Sequence, residues 1–228
     1  MKSIKKLFLS IVLLFSSVSF AQSQTDNLGK TAPGIPTTPI PIEVFASNRG
    51  VAFQMIISKH FSPTSRFGFF NVTNFVGDYK TTNQKNQYLS QSFITADIGK
   101  GMSFNAGVSM NYVTGFRPSA GLQYVFANRQ FLAVLLPRFD LTQTHNFETF
   151  GLLQYQLKLK NNYGFYTRVQ GLYSHNTKFN FHDRSYVLLR VGASYKNCQF
   201  GVGSNIDFYG PMKINENSIG VFIRTELF

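Results

Sequence analysis

Alternation of apolar and polar residues at the end of the chain restricts what this sequence can fold into. On one face of an extended strand, the last ten residues place Ile219, Val221, Ile223, Thr225 and Leu227. On the other face they place Gly220, Phe222, Arg224, Glu226 and Phe228. In water, such a strand at a sheet edge would promote aggregation. In a membrane barrel, one face meets lipid, the other meets the lumen, and both edges are paired.

Short alternating segments fill the chain from about residue 42 onward, and no window shows sustained helical periodicity. Each segment is close to the length that a tilted barrel strand needs to cross a membrane. Segments 65–77, 87–99 and 130–140 have apolar residues on both faces, so their facing is not predicted. The predicted strands are 42–48, 50–61, 65–77, 87–99, 101–114, 118–127, 130–140, 147–159, 162–174, 184–196, 198–209 and 217–228.

The composition agrees with a membrane barrel. The chain contains 25 Phe, 11 Tyr and no Trp, and only 14% of its residues are charged. Its mean hydropathy is −0.07. Alternating lipid-facing and polar residues cancel in such an average, whereas a helical membrane protein would be strongly apolar.

The first residues have the features of a secretory signal peptide. Lys2, Lys5 and Lys6 precede an apolar stretch that ends near residue 20, and Ala21 is a small residue before a predicted cut at Gln22. The alternative is an uncleaved anchor, for which the apolar stretch is short. We therefore predict a signal peptide at 1–21, a Pro-rich periplasmic lead-in at 22–41 and a barrel at 42–228. The mature chain would carry a net charge of +9.

The connections between the predicted strands alternate between short and long. Short ones lie near 62–64, 100, 128–129, 160–162 and 197, and longer ones at 78–86, 115–117, 141–146, 175–183 and 210–216. Outer-membrane barrels have tight periplasmic turns and longer external loops. With both termini on the periplasmic side, the count is twelve antiparallel strands, with ten as the alternative.

The terminal residue adds a resemblance to this pattern. Phe228, at the end of an alternating strand, resembles the closing strand of bacterial outer-membrane β-barrels, in which it helps the assembly machinery to recognise the chain. That family usually has a second hydrophobic residue two positions earlier, where this chain has Glu226. The resemblance implies an all-β antiparallel barrel in the outer membrane of a Gram-negative-type bacterium. It also implies contact with lipid, lipopolysaccharide and the assembly machinery.

Charged residues on the predicted inner faces are the candidate functional site. If the apolar faces point outward, the lumen receives Glu148, Lys158, Tyr166, Arg168, Arg190, Asp207, Arg224 and Glu226. Arg168 and Arg190 lie at similar heights on strands joined by one hairpin. They could bind anionic groups or raise anion passage. Alternatively, they pair with Glu148, Asp207 and Glu226 and fill the interior.

A weaker pattern points to lipid hydrolysis. His175, Asp183 and Ser185 flank one outer hairpin and share outward parity. A base, a carboxylate and a hydroxyl held close together meet the first demand of nucleophilic catalysis. No P-loop, His-Glu-x-x-His, Gly-x-Ser-x-Gly or paired Cys is present, so no cofactor or metal is expected.

These observations predict a small porin-like channel for small polar or anionic solutes. A closed barrel that acts as an envelope scaffold or adhesion element through its outer loops is the alternative, and a lipid hydrolase is a minor one. The basic charge is not interpreted as nucleic-acid binding, because the chain is exported.

Overall fold

The computed structural model describes residues 38–79, 87–112 and 115–228, and these residues form a closed antiparallel barrel of twelve strands. Each strand pairs with its neighbours in sequence, and β1 closes the barrel against β12. The strands are β1 (Ile40–Ser47), β2 (Gly50–His60), β3 (Phe67–Asp78), β4 (Gln87–Gly99), β5 (Met102–Asn111), β6 (Gly115–Ala127), β7 (Phe131–Asp140), β8 (Asn146–Lys158), β9 (Tyr163–Asn176), β10 (Phe181–Tyr195), β11 (Cys198–Tyr209) and β12 (Ile214–Leu227).

The predicted all-β antiparallel barrel is confirmed, and the strand count is twelve rather than ten. The predicted signal peptide, with its cut between Ala21 and Gln22, lies outside the described residues. Strand β1 begins at Ile40, so the last two residues of the predicted lead-in belong to the barrel wall. No helix in the described part of the chain is long and apolar enough to cross a membrane.

The predicted loop lengths need correction. Strand β9 continues to Asn176 and strand β10 begins at Phe181, so the loop predicted at 175–183 covers only 177–180. Residues 115–117 belong to β6. At the predicted periplasmic end, the connection 61–66 is longer than the connection 48–49 at the opposite end. The alternation of short and long connections is therefore less regular than predicted. Several hairpins keep their backbone pairing beyond the segments in which apolar and polar residues alternate.

The final strand faces as predicted. Ile219, Val221 and Ile223 point outward and are about 58–68% exposed, whereas Phe222 and Arg224 point inward and are buried. Aromatic pairs lie near both ends of the barrel. Phe131–Tyr155 and Tyr163–Tyr195 lie towards the end with the termini, and Phe139–Phe147 lies towards the other end. An apolar band between aromatic girdles suits the outer surface to lipid.

An apolar core occupies part of the lumen. Its buried members are Phe70, Val72, Phe93, Leu136, Phe150, Leu152, Leu172 and Tyr186. Several of them come from β3, β4 and β7, the strands whose segments lacked clean alternation. These strands are apolar on both faces because one face belongs to the apolar outer surface and the other packs inside the barrel. The predicted charged lumen residues therefore share the interior with an apolar sector.

Candidate functional site

One carboxylate accepts hydrogen bonds from two arginines in the other sector of the lumen. The Oε2 atom of Glu43, on β1, accepts a hydrogen bond of 2.8 Å from Arg168 Nη2. Its Oε1 atom accepts one of 2.9 Å from Arg190 Nε. All three side chains are at most 4% exposed. A desolvated network of this kind is stable only when each charge has a partner.

Backbone pairing explains why the arginines need a shared partner. Arg168 on β9 and Arg190 on β10 are directly paired in the ladder, so their like charges share one level of the wall. Like charges directly opposite one another are destabilising. Glu43 approaches them from β1, which is separated from β10 by β11 and β12. The contact therefore extends beyond neighbouring strands.

Small and aromatic side chains shape the path of Arg190. Its Nη1 donates to the carbonyl of Leu189 and to Asn205 Oδ1, at 2.9 and 2.8 Å. Its guanidinium carbon lies 4.0 Å from the centre of the Phe45 ring, in cation–π contact. A Cβ on Gly203 would lie only 2.7 Å from Arg190 Cδ. Glycine at that position leaves room for the arginine to lie along the wall.

A second network lies nearer the chain termini. Arg224 Nη1 donates to Gln199 Oε1 at 2.6 Å and to Glu226 Oε1 at 2.9 Å. The guanidinium carbon lies 5.4 Å from the centre of the Tyr166 ring, which packs against Phe222. Glu226 is thus the partner of an arginine on its own strand.

Further ion pairs occupy the apolar sector and the opposite end of the barrel. Arg138 pairs with Glu148 beside the core. Nearer the rim, Arg184 pairs with Asp207 at 2.9 Å. In the β1–β2 connection, Arg49 pairs with Glu216. Burial lowers the pKa of the Arg49 guanidinium, but the hydrogen bond and negative charge of Glu216 outweigh it, so the net pKa is raised.

The predicted lumen residues lie on inward-facing positions but are connected differently from the prediction. In one of the two alternatives given above, Arg168 and Arg190 would pair with Glu148, Asp207 and Glu226. Each of these acids instead pairs with another arginine, in the networks described above. Lys158 lies exposed at the end of β8. Glu43 was not among the predicted lumen residues, although an acidic residue in the apolar segment 40–46 was the available signal.

A cavity of about 60 Å³, lined by both polar and apolar side chains, lies above the Glu43 network. Glu43 and Arg190 line its inner part, and Gln87, Arg184 and Asp207 line the part nearer the rim. A cavity of this size holds a few water molecules. Elsewhere inside the barrel, Leu136 and Tyr166 are fully buried. Side chains therefore fill much of the lumen outside the cavity.

A β-bulge in β10 changes the contacts of the residues that were predicted for lipid hydrolysis. Ser185 Oγ lies 3.0 Å from Nε2 of His182, whereas the prediction paired it with His175. The His175 ring instead stacks on Tyr173. Asp183 accepts hydrogen bonds from Asn146 and Ser174, which are buried on the inner face. The register shift between His182 and Arg184 reversed the parity on which the prediction depended.

Solved structures that are similar to this chain include two porins. No family model matches the chain, and no curated protein matches it. KdgM porin is 14% identical, with a TM-score of 0.45, covering 84% of this chain and 100% of that one. NanC porin is 10% identical, with a TM-score of 0.49, covering 82% and 100%. OccK7 (OpdD) of Pseudomonas aeruginosa is 8% identical, with a TM-score of 0.39, covering 75% and 68%.

Proposed function

We propose that this protein is an outer-membrane barrel that passes small polar or anionic solutes through a narrow lumen, and that the conformation described here is its closed state. The observation that carries the proposal is the Glu43 network. A single carboxylate is hydrogen-bonded to two adjacent arginines at the inner end of a cavity. Arginines facing a lumen favour anion passage once their counter-ion is displaced.

The position of Glu43 makes such displacement physically reasonable. It lies on β1, which at Ile40–Ser47 is the shortest strand of the described barrel. In contrast, Arg190 lies on β10, the longest strand with 15 residues, and Arg168 lies on β9, which has 14. Movement of the short strand or of its side chain would expose both guanidinium groups to the cavity. The pathway acts by selection of charge and size and needs no catalytic group.

A signal peptide, outer-membrane lipid, lipopolysaccharide and the barrel-assembly machinery belong to the same proposal. The apolar outer band supports contact with lipid. Phe228, which follows β12, is 67% exposed, so its side chain is accessible to that machinery.

The second candidate function is a closed barrel that acts as an envelope scaffold through its outer loops. The apolar core favours it, because Phe93, Leu136 and Phe150 fill one sector of the lumen with groups that offer no path to ions. In this case, the ion pairs brace the interior and do not participate in transport.

Single-channel recording in planar bilayers separates the two candidates. We expect small, anion-selective openings of the wild type in potassium chloride, and a larger open fraction for Glu43→Gln. The matched control is Glu226→Gln, which removes a carboxylate paired at the barrel end and leaves the Glu43 network intact. Silence of both the wild type and Glu43→Gln, in bilayers where folded protein has inserted, would reject the channel and favour the scaffold.

A further inference from the structure

A serine, a histidine and a backbone carbonyl form a hydrogen-bonded series on the outer face of β10. Ser185 Oγ lies 3.0 Å from His182 Nε2. On the other side of the ring, His182 Nδ1 lies 2.8 Å from the carbonyl oxygen of Gly210. The series lies at the end of the barrel opposite to the termini, away from the Glu43 network.

The carbonyl determines which ring nitrogen carries the proton. A carbonyl oxygen can only accept a hydrogen bond, so Nδ1 of His182 must be the donor. In the neutral ring, Nε2 then presents a lone pair to the hydroxyl of Ser185. The serine hydroxyl donates to this nitrogen, which is the direction of proton transfer that general-base activation of a nucleophile requires.

The β-bulge creates this pair. In a regular strand, residues three apart point to opposite faces. Here the register shifts between His182 and Arg184, so that His182 pairs with His175 and Ser185 pairs with Tyr173. Both partners belong to the outward face of β9. The bulge thus brings a base and a hydroxyl together on the outer surface.

The surroundings of the pair favour an apolar substrate. The His182 residue is only 8% exposed, and its ring packs 5.9 Å from the ring of Tyr173. On the same face, Tyr173 is 43% exposed and Val187 is 38% exposed. These groups are continuous with the apolar outer band. An acyl chain from the surrounding lipid can lie against them and bring its ester to Ser185.

We propose that Ser185 and His182 are a nucleophile and general base that hydrolyse carboxylic esters of acyl lipids at the outer surface of the barrel. The Ser185 oxygen forms a bond to the ester carbonyl carbon while its proton passes to His182 Nε2. The bond to the alkoxy oxygen breaks, and that oxygen takes the proton from His182. A water molecule then attacks the acyl-serine in the same manner, releases the fatty acid and restores the hydroxyl.

Labelling by a fluorophosphonate tests this site without knowledge of the natural lipid. The full chain, folded in detergent micelles, is treated with the probe and digested for mass spectrometry. An activated serine displaces fluoride from phosphorus and remains phosphonylated. We expect the label on Ser185 of the wild type. For His182→Gln we expect at least about a 100-fold slower reaction, since a general base contributes about that much or more.

A neighbouring histidine provides the matched control. His175→Gln changes an imidazole on the same outer face. The His175 ring stacks on Tyr173, whereas the hydroxyl of Ser185 is hydrogen-bonded to His182. We expect it to be labelled at the wild-type rate. The electrophoretic mobility of unboiled samples verifies that each variant is folded. Hydrolysis of p-nitrophenyl octanoate by the wild type, and its loss in Ser185→Ala, provides a second readout.

Two results would overturn the proposal. The first is a folded wild type in which Ser185 remains unlabelled while the probe reacts with a standard serine esterase. The second is equal labelling of wild type and folded His182→Gln, which would reduce the hydrogen bond to a structural feature of the bulge. The first result concerns the wild type alone. The test therefore remains decisive even if His182→Gln does not fold.

Discussion

Arg190 on β10 donates a hydrogen bond of 2.9 Å to Glu43 on β1, although β11 and β12 lie between these strands in the barrel wall. The side chain crosses above Gly203 and meets the carboxylate inside the lumen. Arg168 donates to the other oxygen of the same carboxylate. One residue of the first strand is therefore hydrogen-bonded to arginines on two strands that come much later in the chain.

Replacement of Glu43 by Gln should destabilise the barrel strongly. The variant leaves Arg168 and Arg190 adjacent and without their carboxylate, and breaking a buried ion pair costs about 3–5 kcal/mol. We expect this loss in denaturant unfolding in micelles, followed by electrophoretic mobility or Tyr fluorescence, since the chain has no Trp. Glu226→Gln, at a more exposed pair, should cost clearly less. An equal loss of unfolding free energy in the two variants would contradict the conclusion that Glu43 is the main partner of the buried arginines.

Two consecutive leucines distinguish the inner core from the outer surface. Leu136 is fully buried inside the barrel, and Leu135 is 47% exposed on the outside. We expect Leu136→Ala to cost about 2–5 kcal/mol, because it leaves a cavity among packed side chains. Leu135→Ala should cost less, since lipid or detergent chains can occupy the vacated volume. Similar losses in denaturant unfolding would indicate that the lumen is not packed as described.

A methyl group on Gly203 should displace Arg190. The added Cβ would lie 2.7 Å from Arg190 Cδ and 2.9 Å from its Nη1. We expect Gly203→Ala to destabilise the barrel by about 1–3 kcal/mol through overpacking. Gly151→Ala is the matched control, because a Cβ there meets no atom within 4 Å. Its stability should change by less than about 1 kcal/mol. A neutral Gly203→Ala would count against the path of Arg190 along the wall.

A cation on the outer face should be costly if that face contacts lipid. Val202 on β11 is 61% exposed on the outer face and pairs with Val221. We expect Val202→Lys to cost about 2–4 kcal/mol in lipid vesicles, the value for a lysine near the bilayer midplane. Met212→Lys, in the 210–213 connection and 87% exposed, should change stability by less than about 0.5 kcal/mol. A neutral Val202→Lys in vesicles would argue against a lipid-facing position.

Most of the barrel was predictable because alternation and turn residues are local signals. The segment 198–209 was predicted with the bounds that β11 has, and the final strand faces as its alternation indicated. The facing of β3, β4 and β7 could not be predicted. Their inner residues, including Phe70, Phe93 and Leu136, are as apolar as the outer ones, so the signal of alternation is lost.

The contacts of the candidate site were less predictable for a geometric reason. Hairpin neighbours such as Arg168 and Arg190 follow from the order of strands, and their adjacency was predicted. Contacts across the lumen depend on strand tilt and side-chain length, so the link to Glu43 has no local signal. The pairing of Ser185 with His182 depends on a bulge, which inverts parity after one inserted residue.

The meeting of β1 with β12 has a consequence for assembly. In a barrel whose last seam is still open, Arg168 and Arg190 stand side by side while their counter-ion remains on an undocked strand. Docking of β1 joins the two ends of the sheet and supplies Glu43 in one movement. Sealing of the wall and partial compensation of these two positive charges are thus a single cooperative step, and a partly closed barrel is destabilised by the repulsion between the two arginines.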